Sequence, residues 1–115
     1  RAQNETLAEM AARRPDRYAA AAAVPLQDAN AAADELRHAV QKLGHRAVQI
    51  GARVEEEGLD APQYDAFWSA AQELNVPVII HPADLAVPPR IRRLFLHILV
   101  GNPSETTFAA AALLL

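Results

Sequence analysis

The chain has 115 residues, of which 51% are hydrophobic and only 5% aromatic, and its 14 acidic and 11 basic side chains give a net charge of −3. This length suits one small domain. The negative charge provides no basic field for a nucleic-acid partner, and no apolar run approaches the roughly 20 residues that span a bilayer. The absence of cysteine excludes disulfides and Cys-ligated metals, and we expect a cytoplasmic location.

Both ends of the chain are unusual for an intact protein. The sequence begins with Arg1 and closes on the apolar run 108–115, which contains no residue that would stop a helix. We therefore expect an internal portion of a longer polypeptide. Such a portion should associate with itself through open sheet edges and its apolar end.

Helical spacing predicts the first element, and an apolar run predicts the second. Leu7 lies in a first helix with Asn4 as its N-cap, and Pro15 ends that helix. Residues 18–24 lie between turn residues and predict a short strand, although their alanines are poor strand formers.

The second helix carries its apolar residues on one side. It is predicted to start at Asp28 or Asn30 and to end at Gly44. Residues 47–50 then predict a second strand, which continues into an acidic loop over 55–57.

A third helix and a third strand repeat this order. Asp60, Pro62 and Gln63 fit the N-cap, N1 and N3 positions of a capping box, and Asn75 fits a left-handed C-cap. The β-branched run 78–80 shows no alternation, as is typical of a strand buried on both faces. A helix is then predicted over 91–100, and Asn102, Pro103 and Glu105 fit the N-cap, N1 and N3 positions at the start of another.

The strand starts recur about every 30 residues, which is the length of a βαβ unit with a right-handed crossover. The fold class is therefore α/β, with three parallel strands and their connecting helices. A parallel sheet needs both faces covered, and a closed (β/α)8 barrel of roughly 250 residues would achieve this. We interpret residues 1–115 as a single partial TIM-type barrel domain, with an open doubly wound sheet as the alternative.

Ligands bind at the carboxyl ends of the strands in either architecture. His81 directly follows the third strand and precedes Pro82, so it is either a metal-binding or proton-transferring histidine or a histidine hydrogen-bonded to a loop. Gln49 either offers its amide to a substrate or ties loops together. Arg53 either pairs with a substrate carboxylate or is a solvated arginine beside the acidic residues 55–57.

Three other histidines have non-catalytic interpretations. His38 and His45 are predicted to lie on the surface, and His97 is predicted to be a partly buried packing residue. A catalytic zinc site normally takes three protein ligands, whereas this chain supplies one convincing candidate.

Four segments resemble a known family in their order and spacing, namely 18–28, 47–51, 77–84 and 99–107. Together they are similar to the aminocarboxymuconate-semialdehyde decarboxylase branch of the amidohydrolase superfamily. The resemblance implies a distorted (β/α)8 barrel with one divalent metal, usually zinc, and non-oxidative decarboxylation or related metal-assisted chemistry.

The resemblance also assigns residues. His81 matches the metal-ligating histidine that ends the fifth barrel strand, and Gln27, Gln49 and Phe95 are expected to line the substrate pocket. The family's other metal ligands and its acid/base histidine have no counterpart, so no catalytic residue is assigned.

Two functions remain open on this basis. The first is the central part of a metal-dependent carboxy-lyase or related hydrolase that acts on a small carboxylated substrate, inactive as a separate chain. The second is a non-catalytic α/β module that self-associates through its open sheet face.

Overall fold

The computed structural model describes residues 1–82 and 93–115, which form two compact units. The first unit consists of Arg1–Ile50 and Pro62–Ile79, and the second consists of Gly51–Ala61 and the described part of Ile80–Leu115. That all 115 residues belong to one barrel domain stays a prediction.

The described residues form helices and short strands that alternate along the chain. In chain order these are α1 (Ala2–Ala12), β1 (Ala21–Ala23), α2 (Ala29–Leu43), β2 (Ala47–Ile50), β3 (Arg53–Val54), β4 (Glu57–Gly58), α3 (Asp65–Leu74), β5 (Val78–Ile80) and α4 (Asn102–Leu114). Among these residues, no helix combines the length and the apolar character that crossing a bilayer requires.

The first unit contains the parallel sheet that the sequence predicts. The strand order is β1-β2-β5, and β1 pairs with β2 in parallel with Ala22 opposite Val48. Strand β1 is therefore an edge of the described sheet. The three parallel strands and their connecting helices confirm the α/β fold class.

The helix caps explain why α2 and α3 lie where they do. The Asp28 carboxylate accepts hydrogen bonds from the backbone N–H groups of Asn30 and Ala31, at 3.1 and 3.0 Å. Gly44 ends α2 with φ 75°, a conformation that glycine adopts without a Cβ penalty. Asn75 ends α3 in the same left-handed region, with φ 51°.

The core of the first unit lies between the sheet and its helices. Leu36 of α2 and Phe67 of α3 are fully buried, as are Ala22 and Val48 on one face of the sheet. Phe67 is the largest fully buried side chain among the described residues.

Two strand predictions need correction. Only Ala21–Ala23 of the predicted strand 18–24 is strand, because the backbone N–H groups of Arg17 and Tyr18 bond back to the carbonyl oxygen of Arg14 in a turn. The predicted burial of β5 on both faces is wrong for this chain, since Ile79 is 45% exposed.

The predicted capping box before α3 is also wrong. A 3-10 turn over Pro62–Tyr64 precedes the helix, and the N-cap Tyr64 makes no side-chain cap bond. The Asp60 carboxylate instead lies against Gly58, where an added Cβ would be 2.5 Å from Oδ1. Its oxygen is therefore directed at the strand end rather than at the helix.

The second unit begins with a hairpin where an acidic loop was predicted. Strands β3 and β4 pair antiparallel, with Arg53 opposite Gly58 and Val54 opposite Glu57. Glu55 makes the tight turn possible by taking a positive φ of 53°.

The predicted helix over 91–100 lies partly outside the described residues. The described part is a 3-10 turn, Arg93–Phe95, followed by a π-helix, His97–Gly101, which runs directly into α4. Asn102 is helical with φ −58° and donates its N–H to the carbonyl of His97, so the predicted N-cap at Asn102 is wrong. The π-helix ends where Pro103 lacks a backbone donor.

Candidate functional site

The loop after β1 places Gln27 on the surface of the first unit. This loop is short and internally bonded: the N–H of Leu26 donates to the carbonyl of Val24 at 3.1 Å, and the N–H of Asp28 donates to the carbonyl of Pro25 at 3.0 Å. Leu26 is buried while Gln27 is exposed. The Gln27 amide is thus presented to solvent between two anchored neighbours.

Gln49 lies on the open face of β2. Its strand neighbours Val48 and Ile50 are buried, and alternation along the strand directs Gln49 to the opposite side. There it lines a groove of about 520 Å³ along α1 and β1, together with apolar residues that include Leu7 and Met10. Within the described part of the chain, its amide has no hydrogen-bond partner, so it does not tie loops together there.

His81 lies in the second unit, immediately after the last residue of β5, and it is exposed. Among residues 1–82 and 93–115, no group of three histidine, aspartate or glutamate side chains could hold a metal ion. His81 is therefore a single donor, and the described residues do not complete a metal site. Asp84, three residues further on, is by its sequence position either a second ligand or the cap of the turn, and it lies outside the described residues.

Phe95 and His97 lie together near the start of the π-helix. Phe95 is 70% exposed and has a φ of 56°, as does Leu94 before it. The rings of Phe95 and His97 have centroids 6.0 Å apart. His97 is half-buried, as predicted, and its buried Nδ1 atom has no hydrogen-bond partner in the described chain.

Arg53 binds acidic groups of its own unit. Its guanidinium donates to the carbonyl oxygen of Glu55 and lies 3.9 Å from the carboxylate of Glu56. It also lies 3.7 Å from the carboxylate of Glu105 on α4, with both side chains largely buried. Arg53 thus lies beside the acidic segment as predicted, but its side chain is 23% exposed rather than solvated.

Asn4 was expected to cap α1, and this prediction is wrong. Asn4 lies inside the helix, is 1% exposed, and makes two hydrogen bonds to the backbone of Ala23. Its Nδ2 donates to the Ala23 carbonyl at 2.9 Å, and its Oδ1 accepts from the Ala23 N–H at 2.8 Å. The spacing to Leu7 and Ala11, at i+3 and i+7, is the sequence signal that places Asn4 on the buried side of the helix.

Glu35 and His45 complete this buried polar cluster. Glu35 accepts from Asn4 Nδ2 at 2.9 Å and from Arg1 Nε at 3.1 Å. Burial alone would raise the pKa of Glu35, but the hydrogen bonds from Asn4 and Arg1 and the positive charge nearby hold it below its ordinary value.

His45 was predicted to lie on the surface, whereas it is 2% exposed. Its Nε2 lies 3.0 Å from the backbone carbonyl oxygen of Asn4, so this nitrogen carries the proton. The bond joins the turn before β2 to α1. A histidine in a short polar turn carries no sequence signal for burial, which explains the wrong prediction.

Three parallel strands with helices packed on one face, and with polar side chains after the strand ends, define a portion of an α/β barrel protein. The match between sequence and family extends over residues 1–115. The chain belongs to the amidohydrolase family.

Curated relatives are decarboxylases. The chain is 44% identical over 88 residues to the gamma-resorcylate decarboxylase of Rhizobium radiobacter, covering 71% of this chain and 27% of the relative. It is 29% identical over 111 residues to the 2-amino-3-carboxymuconate-6-semialdehyde decarboxylase of Dictyostelium discoideum, covering 96% of this chain and 31% of the relative.

Solved structures have the same fold. A 2,6-dihydroxybenzoate decarboxylase in complex with 2,6-dihydroxybenzoate is 34% identical with a TM-score of 0.81, over 96% of this chain and 37% of that one. A 5-carboxyvanillate decarboxylase from Novosphingobium aromaticivorans, with bound manganese, is 27% identical with a TM-score of 0.86, over 94% of this chain and 32% of that one. The chain thus spans about a third of the relatives' length.

Proposed function

We propose that this chain is the central part of a metal-dependent, non-oxidative decarboxylase that acts on a small hydroxylated aromatic carboxylate. The observation that carries the proposal is the 44% identity with a gamma-resorcylate decarboxylase. The dihydroxybenzoate bound in a solved relative supports the substrate class. Because the chain covers so little of these proteins, the activity belongs to the longer protein that contains it.

Within that protein, His81 supplies one ligand to a divalent metal. Two observations support this role: His81 lies directly after β5 and before Pro82, and its imidazole is exposed. The remaining ligands come from outside the described residues, since these offer no three-ligand group. When bound, such an ion polarises a substrate oxygen or activates water. We therefore expect the separate chain to be inactive.

Gln27, Gln49 and Phe95 contact the substrate in this proposal. Both glutamine amides are exposed and have no hydrogen-bond partner among the described residues, so they can bind carboxylate or hydroxyl groups. The exposed Phe95 ring can stack on an aromatic substrate.

The experiment compares His81→Asn with His38→Asn in the longer protein. His38 is a half-buried histidine of α2 and serves as the matched control. We expect His81→Asn to lower both the metal content after dialysis and the release of CO2 from 2,6-dihydroxybenzoate, with an unchanged far-UV spectrum. Equal metal content in the two variants would remove His81 from the ligand set. His81→Cys, which still offers a metal ligand, keeps the test informative should the asparagine variant fail to fold.

The metal itself is part of the same test. The family resemblance predicts zinc, whereas two solved relatives hold manganese. Reconstituting the metal-free protein with either ion separates the two, because only the native ion should restore full activity at one equivalent. A metal-free protein that retains its activity would refute metal dependence.

The second candidate is a non-catalytic α/β module that self-associates through its open sheet face. The 45% exposure of Ile79 on β5 favours it, because an exposed apolar side chain on a sheet is a surface for association. A longer protein that lacks activity on dihydroxybenzoates and on ester substrates, while the given chain forms a defined oligomer, would support this reading. A cytoplasmic location is proposed for either function and is tested by cell fractionation.

A further inference from the structure

The side chain of Asn4 occupies the place of a neighbouring β-strand. A residue in a strand presents its N–H and C=O to the same edge, and a neighbouring strand normally binds both. At Ala23 the primary amide of Asn4 does this instead, with bonds of 2.9 and 2.8 Å. The Asn4 amide therefore satisfies both backbone hydrogen-bonding groups of Ala23.

The edge that Asn4 occupies is the one that faces away from β2. The carbonyl of Ala20 accepts from the N–H of Arg46 on the β2 side. Since successive residues of a strand present their backbone groups to alternate edges, Ala23 faces the opposite edge. In the described sheet no further strand lies there. The last residue of β1 would thus have two unpaired backbone groups without Asn4.

Two further contacts hold Asn4 in place, one at its side-chain amide and one at its backbone carbonyl. Nδ2 also donates to Glu35 Oε1 at 2.9 Å, and this bond to a carboxylate settles which end of the amide is the donor. The backbone carbonyl of Asn4 lies 3.0 Å from His45 Nε2. Helix α1, strand β1, helix α2 and the turn before β2 therefore meet at this single residue.

We infer that Asn4 is a positioning residue for the loop after β1. It holds the final residue of β1, so the chain leaves the sheet at Val24 and presents Gln27 from a fixed point. The relevance to substrate binding rests on the proposed function. The positioning of the loop by Asn4 does not rest on the proposed function, because it follows from the contacts of Asn4.

The test uses Asn4→Asp in the longer protein, with Asn30→Asp as its control on the exposed surface of α2. The new carboxylate loses both donor bonds and faces the charge of Glu35. The carboxylate can still accept from the Ala23 N–H, but the lost donor bonds make local opening at the end of β1 easier. Protection of the Ala23 amide against hydrogen exchange should therefore fall roughly tenfold, the effect on local opening of about one lost hydrogen bond. KM for dihydroxybenzoate should rise while the metal content stays unchanged.

A second substitution keeps the inference falsifiable. Glu35→Gln added to Asn4→Asp replaces the repelling carboxylate with an amide that can donate, so Ala23 protection should partly return. Lowering the pH of the Asn4→Asp variant should also restore Ala23 protection, because a protonated carboxyl group does not repel its neighbour. The charged or titratable groups around this position are Arg1, Glu35 and His45.

The outcomes separate the two proposals. Unchanged Ala23 protection and unchanged Gln27 amide signals in Asn4→Asp would overturn the positioning role, whatever the activity. A longer protein with no decarboxylase activity would refute the proposed function, while the exchange data would still decide the role of Asn4.

Discussion

Replacing Glu35 by glutamine tests the buried polar cluster in the first unit. Glu35 is 8% exposed and accepts hydrogen bonds from Asn4 and Arg1. Hydrogen bonds to a charged group contribute about 1.5–3 kcal/mol and neutral ones about 1 kcal/mol. The Arg1 side chain is 57% exposed, so its ion pair adds about 0–1 kcal/mol. Glu35→Gln should therefore lower the free energy of unfolding by about 1–2 kcal/mol at neutral pH.

The effect must depend on pH with a definite sign. The hydrogen bonds from Asn4 and Arg1 hold the pKa of Glu35 below its ordinary value in the folded chain. Its ionised form therefore stabilises the fold above the unfolded-state pKa, and this contribution is lost as the pH falls through the folded-state pKa. Glu35→Gln should match the unsubstituted chain most closely in acid and differ most near neutrality.

Urea unfolding followed by circular dichroism at a series of pH values measures the difference. Glu9→Gln is the control, because Glu9 is an exposed carboxylate of α1. A stability difference between Glu35→Gln and the unsubstituted chain that is the same at every pH would refute the ionised, hydrogen-bonded state of Glu35. A difference equal to that of Glu9→Gln would do the same.

Three further predictions concern packing, backbone and surface. Phe67→Ala removes the largest fully buried side chain and should cost about 3–5 kcal/mol in urea unfolding; a cost near that of a surface change would contradict the core assignment. In Gly44→Ala the added Cβ meets no atom within 4 Å, but alanine is forced to φ 75°. The melting temperature should therefore fall through backbone strain alone, and an unchanged melting temperature would argue against the left-handed cap. Phe108 and Leu114 are 69% and 85% exposed, so the given chain should associate with rising concentration in light scattering, and Phe108→Lys with Leu114→Lys should reduce this. A monomer at all concentrations would disprove the predicted self-association.

Local signals made parts of this fold predictable. Helix α2 follows from its one-sided apolar spacing, an N-cap carboxylate at Asp28 and a glycine at position 44. Strand β2 matches its predicted bounds, Ala47–Ile50. Each of these signals acts within a few residues, and chain neighbours alone suffice to satisfy it.

Long-range bonding is the part that the sequence did not reveal. Asn4 could cap a helix by its residue type, but its actual partners lie 19 and 31 residues away. His45 can be buried because a backbone carbonyl 41 residues away accepts a hydrogen bond from its Nε2–H. A polar residue has several ways to satisfy its hydrogen bonds, and only the assembled elements select one.

The open face of the sheet gives a direct test of the partial-barrel interpretation. Parallel strands normally have both faces covered, yet Ile79 of β5 is 45% exposed whereas Val48 of β2 is fully buried. In a closed barrel, further strands would enclose the open face. Ile79→Lys should therefore change the unfolding free energy of the given chain by less than about 1 kcal/mol, since lysine can reach solvent.

In the longer protein the same substitution would bury an unpaired ammonium group. There it should cost several kcal/mol or prevent folding. Val48→Lys is the control, and it should be severe in both because Val48 already lies in the core of the described unit. Equal tolerance of Ile79→Lys in the short and the long protein would mean that nothing covers this face, and the sheet would then have to be an open one.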